Sequence, residues 1–426
     1  MSDSFTLPVE PARLPKLPTL LVGSMKTQLI KALMRLKTGG IHLTEPDGSA
    51  LALGNTNASA WRVQVLDDRF YVYAAFGGSL GIAEAWILGL WNSEDLVQVT
   101  QLLVREREVL TAIDDSLVSK ARMPIYKWIE KRRQNTRSGS RRNIHAHYDL
   151  GNDFFKLFLD DSMTYSSAVF THDAASLSDA QFEKYDLICR KLDLQPGDRV
   201  LEIGSGWGGL SMHAARHFGA SVVTTTISDE QYDLASARIR EAGLDDRITV
   251  MKKDYRDLEG QFDKLISIEM IEAVGHKFLP TYFKQIQKVL KPEGEALIQA
   301  ITIQDQFYDR MRKGTDFIRE HIFPGGLLPS VNRILSVTAE HTDLRLFNLE
   351  DFGRDYARTL AQWRRAFHAH LSKVQAMGYS AEFCRMWDFY LASCEAGFLE
   401  TSTSVVHLHF TRPACRRERY SFNTEA

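Results

Sequence analysis

The residues best suited to bind a ligand form a glycine-rich turn near the middle of the chain. The apolar run Arg199–Gly204 predicts a strand, and a helical pattern follows the turn as far as Phe218. Glycine lets the backbone approach a ligand without a Cβ clash, and the first turn of a helix offers unpaired N–H groups. We therefore expect a bound ligand here. The candidate binding residues in this turn are Glu202, Gly204, Ser205, Gly206 and Gly208.

The glycine spacing alone also fits a dinucleotide-binding turn, but other polar residues favour S-adenosylmethionine. Glu202 lies just before the first glycine, where a carboxylate can meet the ammonium group of a methionine. The second predicted strand ends in polar residues suited to ribose and adenosine, among them Thr226 and Gln231. The third ends at Asp254 and Tyr255, which are placed to address adenine. The sequence thus predicts S-adenosylmethionine as the cofactor.

These residues lie at strand ends in a segment where strands and helices alternate. Apolar strands separated by helical segments predict a parallel sheet covered on both faces. The fold class we expect is α/β, with a Rossmann-like sheet, a mostly helical and aromatic-rich segment at residues 304–400, and a late strand at 404–412. After the first strand, the predicted strands are Ser221–Ser228, Ile248–Asp254, Phe262–Glu269 and Glu295–Ile303.

The N-terminal part of the chain predicts a smaller α+β unit. Residues 24–38 predict a helix with an apolar face and a basic rim, typical either of packing or of a membrane surface. Strands are predicted at Trp61–Leu66 and Phe70–Phe76. Helices are predicted from about Ile82 and, after a capping-box pattern, from Ser93.

Composition excludes several classes of protein. The 426 residues are 44% hydrophobic and 25% charged, which is typical of a soluble globular chain and argues against a disordered or fibrous one. A net charge of −2 argues against bulk polyanion binding. The four cysteines lack metal-ligand spacing, so we expect neither a disulfide framework nor a metal site. With no secretory signal and no apolar run long enough to span a bilayer, we expect a cytoplasmic location.

One segment, residues 120–142, is strongly basic. It carries nine Lys and Arg residues and one acid, Glu130, so the rest of the chain has 43 basic and 53 acidic residues. A solvated linker is one interpretation. Another is an anionic membrane surface, because each basic residue near such a surface contributes about 1 kcal/mol. No nucleic-acid-binding module accompanies the segment, so we expect no nucleic acid partner.

Several motifs together resemble the cyclopropane-fatty-acyl-phospholipid synthase family of S-adenosylmethionine-dependent methyltransferases. The resemblance implies domains at residues 1–119 (α+β) and 143–415 (a class I methyltransferase domain with an acyl-chain site in a helical insertion), joined by the basic linker 120–142. It also implies that Tyr165 and Ser166 contact the cofactor. The matching stretches are Asn143–Phe154, Met163–Ala168, Val200–Leu210, Thr226–Ser228, Asp254–Asp257, Met270–Gly275, Ile322–Ser330 and Asp351–Tyr356.

The same resemblance implies a catalytic set that binds a bicarbonate ion as the base. Glu272 and Tyr356 match that set, and Ile301 matches a backbone contact. The family cysteine is Ser167 here and the family histidine is Gln299, and neither substitute is a cation, which weakens the expectation of bicarbonate.

Glu269 stands where better-known members have a small residue. Two carboxylates one turn apart at a strand end, Glu269 and Glu272, can raise the pKa of one toward that of a useful base. A surface or ion-paired Glu269 is the alternative. Two histidine pairs have one residue between their members, and we interpret them as hydrogen-bonding or surface residues and not as metal ligands. They are His145 with His147 and His407 with His409.

The implied reaction adds a methyl or methylene group to the cis double bond of an unsaturated phospholipid acyl chain in a membrane, through a carbocation. Aromatic side chains of residues 304–400 could wall the acyl-chain site, although most are expected to be core. Cyclopropane is the first expected product, and a methylene- or methyl-branched chain is the second. A methyltransferase for a small soluble acceptor and a non-catalytic lipid-binding protein are the other hypotheses. The oligomeric state is open, a homodimer being one option.

Overall fold

The structure, a computed structural model, describes residues 18–114, 135–148, 150–418 and 420. Its first elements are α1 (Thr19–Leu33), β1 (Gly40–Thr44), β2 (Ala50–Gly54), β3 (Ala60–Val65), α2 (Arg69–Ile87), β4 (Trp91–Ser93), α3 (Leu96–Arg105) and α4 (Arg107–Asp114). Next come α5 (Arg137–Tyr148), α6 (Asn152–Phe155), α7 (Leu177–Lys191), β5 (Arg199–Ile203), α8 (Gly209–Phe218), β6 (Ser221–Thr226), α9 (Asp229–Glu241), β7 (Ile248–Lys252) and β8 (Phe262–Ile268). The last are α10 (Leu279–Val289), β9 (Leu290–Ile303), α11 (Asp305–Lys313), α12 (Val331–His341), β10 (Arg345–Asp351), α13 (Gly353–Ala369), α14 (Leu371–Ala376), α15 (Ala381–Leu399) and β11 (Thr403–Thr411).

The described residues divide into two compact units, and neither is continuous in sequence. Residues 313–324 and 360–402 group with the N-terminal residues, whereas the sequence-based division assigns them to the methyltransferase domain. The second unit is formed by the described residues of Gln134–Arg312, Gly325–Thr359 and Thr403–Ala426.

The second unit is built on a seven-stranded sheet in the order β10-β11-β9-β8-β5-β6-β7. The five strands from β9 to β7 pair in parallel, and β11 and β10 add antiparallel to the β9 edge. This arrangement confirms the predicted α/β fold and the late strand that returns to the sheet. Because the strands are parallel, the carboxyl ends of β5, β6, β7 and β8 meet at one edge, where the candidate residues lie.

Helices cover both faces of this sheet. On one face, Tyr282, Phe283 and Ile286 of α10 pack with Ile334 and Val337 of α12 in a buried cluster. On the other face, residues of α7, α8 and α9 form a second cluster. Burial on both faces explains the nearly continuous apolar runs that made these strands recognisable in the sequence.

The first unit contains a four-stranded sheet in the order β2-β1-β3-β4, with helices packed around it. Within this unit, α15 packs against α2 and α3: Trp86 Nε1 donates to the Arg385 carbonyl oxygen at 3.0 Å, and Arg105 pairs with Glu400 at 2.6 Å. Many aromatic residues of the 304–400 segment, including Trp363 and Trp387, are buried here as core.

Several predictions for the first unit are wrong. Phe70–Phe76 lies in the first part of the helix α2, not in a strand. Gly78, with φ of 59°, kinks this helix, and the helix predicted from about Ile82 corresponds to its second part. Most of α2 is buried, so it lacks the one-sided apolar pattern of a surface helix, and its aromatic and β-branched residues favour strands when taken alone. The expected helix at Ser93 begins instead at Leu96, where the Asp95 side chain accepts the N–H of Gln98.

Two other expectations in this part of the chain need correction. The helix expected at 24–38 is shifted to Thr19–Leu33, and Gly23 does not interrupt it. Strands β1 and β2 were not predicted.

Residues 115–134 lie outside the described residues, and they include most of the basic segment 120–142. The side chains of residues 144–149, in the first matching motif, also lie outside them. Among the described residues, no helix is both long and apolar enough to cross a membrane.

Candidate active site

The glycine-rich turn connects β5 to α8 at the carboxyl edge of the sheet. Gly204 and Gly206 have φ values of 97° and 48°, a region that side chains with a Cβ rarely adopt. A Cβ added to Gly206 would meet no described protein atom within 4 Å, so the backbone faces open space there. Ser205 donates its N–H to Thr225 on β6, and Gly208 leads into α8. The turn therefore has the open backbone surface that the sequence predicts.

Glu202, at the end of β5, is buried with 4% exposure. Its Oε2 accepts hydrogen bonds from the hydroxyls of Ser211 and Thr224, the latter at 2.6 Å. Burial raises the pKa of Glu202 to about 7, against these hydrogen bonds and the attraction of Lys184. A ligand ammonium group would relieve this penalty, because an opposite charge favours the carboxylate. This buried carboxylate therefore fits the ammonium group at the methionine end of S-adenosylmethionine.

The other predicted cofactor residues lie at the ends of the next strands. Thr226 and Gln231 are both buried and hydrogen-bond to each other at 3.0 Å. The Asp254 carboxylate is held by the guanidinium of Arg256, at 2.8 and 2.6 Å. Burial by itself would raise the pKa of Asp254, but the hydrogen bonds and the charge of Arg256 keep this pKa below its ordinary value. Tyr255 packs edge-on against Tyr282, with ring centroids 5.5 Å apart.

Tyr165 and Ser166 lie beside this edge, in the segment between α6 and α7. The Tyr165 ring packs edge-on against Phe155, with centroids 5.3 Å apart. Ser166 is buried, and its hydroxyl accepts a hydrogen bond from Lys184 Nζ at 2.7 Å.

Glu269 follows β8 and has an unusual left-handed backbone, with φ of 47°. This conformation costs a residue with a Cβ about 1–2 kcal/mol, so the small residue expected at this position in relatives is understandable. Three groups donate to its carboxylate and hold it in place. They are Ser167 N–H at 2.9 Å and Gln299 Nε2 at 2.7 Å, both to Oε1, and the Tyr356 hydroxyl at 2.8 Å to Oε2.

Glu272 lies one turn further on, in a short 3₁₀ helix. Its Oε1 accepts the Ile301 N–H at 2.5 Å, and its Oε2 is buried without a hydrogen bond from any described residue. Burial raises the pKa of Glu272 to about 8, and the charge of Glu269 adds to the rise. Burial also raises the pKa of Glu269, but its three donors and Lys184 oppose the rise. The two carboxylates thus differ: three donors and Lys184 limit the rise in the pKa of Glu269, whereas a single neighbouring backbone N–H, that of Ile301, does so for Glu272.

The predicted catalytic residues lie together, and they surround the carboxylates of Glu269 and Glu272 instead of an open ion site. The three groups that the resemblance assigns to bicarbonate (at Ser167, Gln299 and Tyr356) donate to Glu269 instead, and the Ile301 N–H donates to Glu272. The donor set is therefore already used by the protein's own carboxylates and does not fit a bicarbonate ion.

Lys184 is a site residue that the sequence analysis missed. It lies on α7 and is fully buried. Burial lowers the pKa of Lys184 to about 7, although the negative charges of three nearby acids raise it in part. These acids are Glu269, Asp160 and Glu202. A signal was available in the sequence: Gln181, Lys184 and Ile188 recur at helical spacing on the buried face of α7, and a lysine on such a face needs a partner.

Fold and site together define a class I S-adenosylmethionine-dependent methyltransferase. The model of one family, described as mycolic acid cyclopropane synthetase, matches residues 135–408. The chain belongs to this family, and its cofactor is S-adenosylmethionine.

Relatives and solved structures agree with this assignment. The chain is 38% identical to tuberculostearic acid methyltransferase UfaA1 of Mycobacterium tuberculosis, over 75% of this chain and 76% of the relative. It is 37% identical to the cyclopropane-fatty-acyl-phospholipid synthase of Escherichia coli, over 82% of this chain and 87% of the relative. The crystal structure of mycolic acid cyclopropane synthase CmaA1 complexed with SAH and CTAB aligns with a TM-score of 0.60 and 29% identity, covering 64% of this chain and 98% of the other.

The raised pKa of Glu272 predicts a pH-dependent stability. A carboxyl whose folded pKa lies above its unfolded value binds more protons when folded, so its stabilisation is lost as pH rises toward about 8. We expect Glu272→Gln, which removes the ionisable group, to melt at a higher temperature than the wild type at pH 9, with a smaller difference at pH 5. Thermal unfolding across this range checks it. A difference that does not change with pH would show that Glu272 has an ordinary pKa.

Proposed function

We propose that this enzyme transfers a one-carbon unit from S-adenosylmethionine to the cis double bond of an unsaturated phospholipid acyl chain, with cyclopropane as the product. The observation that carries the proposal is the Glu269 carboxylate, fixed by three donors at the carboxyl edge of the sheet. A Cβ built on Gly204 would lie 3.5 Å from Met270, the residue after Glu269, so this base lies beside the glycine-rich turn. The names of the relatives support a lipid substrate.

When bound, S-adenosylmethionine supplies an activated methyl group to the alkene. Glu202 and the turn from Gly204 to Gly208 hold its amino-acid end, and Thr226, Gln231, Asp254 and Tyr255 lie where its adenosine end would bind. Because Glu202 is buried, its charge interacts strongly with a ligand cation and fixes the orientation of the methionine group.

Glu269 is the group suited to remove the proton from the cation left on the acyl chain. A carboxylate has about four lone-pair sites, and its donors occupy two on Oε1 and one on Oε2. The remaining site on Oε2 can accept the proton. When the proton leaves the new methyl group, the electron pair of that C–H bond closes the three-membered ring.

A branched product is the second candidate. A hydride shift moves the cation onto the carbon that carries the new methyl group, so loss of a proton from that methyl group forms a C=CH₂ double bond instead of a ring. A methyl branch then requires reduction of this double bond in a separate reaction. The relative at 38% identity is named as a methyltransferase and the one at 37% as a cyclopropane synthase, so the two names support different products.

The test is turnover of a purified protein with S-adenosylmethionine and vesicles of a monounsaturated phospholipid. Mass spectrometry shows a gain of one CH₂ group, and proton NMR distinguishes a cyclopropane from a methylene branch, which has the same mass. Transfer only to small soluble acceptors, with no change in the acyl chains, would overturn the proposal.

We also propose that the protein acts as a peripheral enzyme on an anionic membrane surface. Leu20 and Leu21 on α1 are 91% and 50% exposed, and Lys31 lies on the same helix. A helix that carries both exposed apolar and basic side chains is typical of helices that lie in a lipid interface. The basic segment 120–142 adds nine positive charges in the sequence.

Reversing charge in that segment should weaken membrane binding. We expect the combined change of Arg132, Arg133, Arg141 and Arg142 to Glu to lower binding to anionic vesicles at low salt by at least roughly tenfold, because each basic residue near the surface contributes about 1 kcal/mol. Vesicle co-sedimentation measures it. The matched control reverses four exposed basic residues elsewhere, Arg216, Arg240, Lys288 and Arg345. Equal loss in both variants would mean that only net charge matters.

A further inference from the structure

A chain of buried polar side chains leads from Glu269 away from the site. Gln299 donates from Nε2 to Glu269 at 2.7 Å, and its Oε1 lies 2.9 Å from Nε2 of His407. The other nitrogen of His407, Nδ1, lies 2.9 Å from Nζ of Lys191, which pairs with Glu350. Gln299, His407 and Lys191 are at most 1% exposed, and the Glu350 side chain is 50% exposed. The chain therefore connects the buried base to the protein surface.

The sheet itself places these residues side by side. Gln299 on β9 is directly opposite His407 on β11, and His407 is directly opposite Glu350 on β10. Side chains of residues paired in this way lie on the same face of the sheet. Lys191, the last residue of α7, is the fourth member. The alignment follows from register and requires no loop to adopt a special conformation.

The direction of each hydrogen bond between Lys191 and Glu269 follows from the charge of Lys191. A charged lysine can only donate, so Nδ1 of His407 must accept from Lys191. The proton of neutral His407 must then be on Nε2, where it donates to Gln299 Oε1. With its oxygen committed to His407, Gln299 can present only its NH₂ group to Glu269.

We propose that Lys191 is a positioning residue for the base: by fixing the proton on His407 Nε2, it fixes the orientation of Gln299 and keeps a donor aimed at Glu269. This proposal rests on the proposed role of Glu269. It also gives a reason for Gln299 at this position, because the side chain between His407 and Glu269 must accept on one side and donate on the other.

The electrostatic surroundings agree with this order. Burial lowers the pKa of His407 well below its ordinary value, and the nearby positive charges of Lys191 and Lys184 lower it further, so the ring stays neutral. Burial also lowers the pKa of Lys191, but its hydrogen bond and charge interaction with Glu350 oppose this. The charged or titratable groups that face Glu269 are Lys184, Glu272 and Tyr356.

The test replaces Lys191 with Met, which has similar bulk and no charge. Without its donor, His407 can carry its proton on either nitrogen, and Gln299 is free to turn. We expect kcat to fall by roughly 10-fold. The acidic limb of the pH profile of kcat should move up by about one pH unit, because losing a donor to Glu269 raises the pKa of that carboxylate. The KM for S-adenosylmethionine should not change. Lys191→Arg, which also only donates, should restore most of the activity.

A matched control lies in a second buried polar cluster of the same sheet. His409, two residues beyond His407, lies 2.9 Å from Glu295, which also pairs with Lys264. The side chains that donate to Glu269 in the described structure belong to Gln299 and Tyr356, and not to this cluster. Lys264→Met therefore removes a comparable, largely buried lysine. We expect it to lower thermal stability and leave the pH profile of kcat unchanged. If Lys191 and Lys264 variants shifted the profile equally, Lys191 would have only a structural role.

A second measurement does not depend on turnover. In protein labelled with ¹⁵N-histidine, the His407 signals, assigned by their loss in His407→Gln, should show the Nε2-protonated neutral ring in the wild type and a mixed or changed tautomer in Lys191→Met. An unchanged tautomer in Lys191→Met overturns the proposal. If Glu269→Gln proves fully active, the role of Glu269 fails, and the tautomer measurement still decides whether Lys191 orders His407.

Discussion

Glu269→Gln lowers turnover of a monounsaturated phospholipid by roughly 100- to 10,000-fold, the usual loss when a general base is removed. The amide keeps the shape of the side chain, and with its one oxygen in the place of Oε1 it can still accept from the Ser167 N–H and from Gln299. Its NH₂ group then faces Tyr356, whose hydroxyl can accept instead of donate. The amide has no basic oxygen on which to receive the proton. Affinity for S-adenosylmethionine, measured by calorimetry, should survive, because the glycine-rich turn and Glu202 are intact.

The neighbouring carboxylate provides the control for this experiment. Glu272, with a pKa raised to about 8, is mostly protonated near neutral pH and accepts one backbone N–H, which a glutamine can also do. Glu272→Gln should therefore lower turnover by no more than about 10-fold. A larger loss in Glu272→Gln than in Glu269→Gln would move the base to Glu272.

The same variants decide whether an ion takes part. With Ser167, Gln299 and Tyr356 all donating to Glu269, the wild type should turn over at the same rate in bicarbonate-depleted and bicarbonate-supplemented buffer. Strong stimulation by bicarbonate, together with a fully active Glu269→Gln, would return the base to a bound ion. The product spectrum of residual Glu269→Gln activity is also informative, because proton loss would pass to whichever group lies nearest the cation.

The sequence predicts the parts of this site that depend on local pattern. The strand before Gly204 and the helix after it are recognisable because buried parallel strands are continuously apolar and the turn requires glycine. Glu269 and Glu272 follow directly from the end of a strand, so their nearness was predictable. Most strand ends of the second unit were also found to within a few residues.

The rest of the site depends on contacts between distant residues. Nothing near His407 in sequence indicates that it faces Gln299, because that pairing depends on β11 adding antiparallel to β9. Lys191 reaches His407 from α7, which lies more than two hundred residues earlier in the chain. In the first unit, the first part of α2, Phe70–Phe76, was mistaken for a strand because burial over most of its surface removed the helical periodicity.

Gly206→Val should weaken the binding of S-adenosylmethionine by roughly 100-fold. A Cβ at Gly206 would have no described protein atom within 4 Å apart from its chain neighbours, so a valine there would project from the turn proposed to bind the cofactor. Forcing side-chain carbons into a site that a ligand fills costs about 3 kcal/mol, which weakens affinity by roughly 100-fold. Calorimetric titration with the cofactor measures the loss directly.

The control for this variant must separate a blocked site from a strained backbone, because Gly206 has a φ of 48° and valine is disfavoured there. Gly197, in the turn before β5, has a φ of 90° and equally open space around its Cβ position. Gly197→Val therefore introduces comparable strain in the same unit, away from the glycine-rich turn. We expect both variants to lose thermal stability and only Gly206→Val to lose cofactor binding. Wild-type affinity in a folded Gly206→Val would place the cofactor elsewhere and remove the basis for assigning Glu202 to its ammonium group.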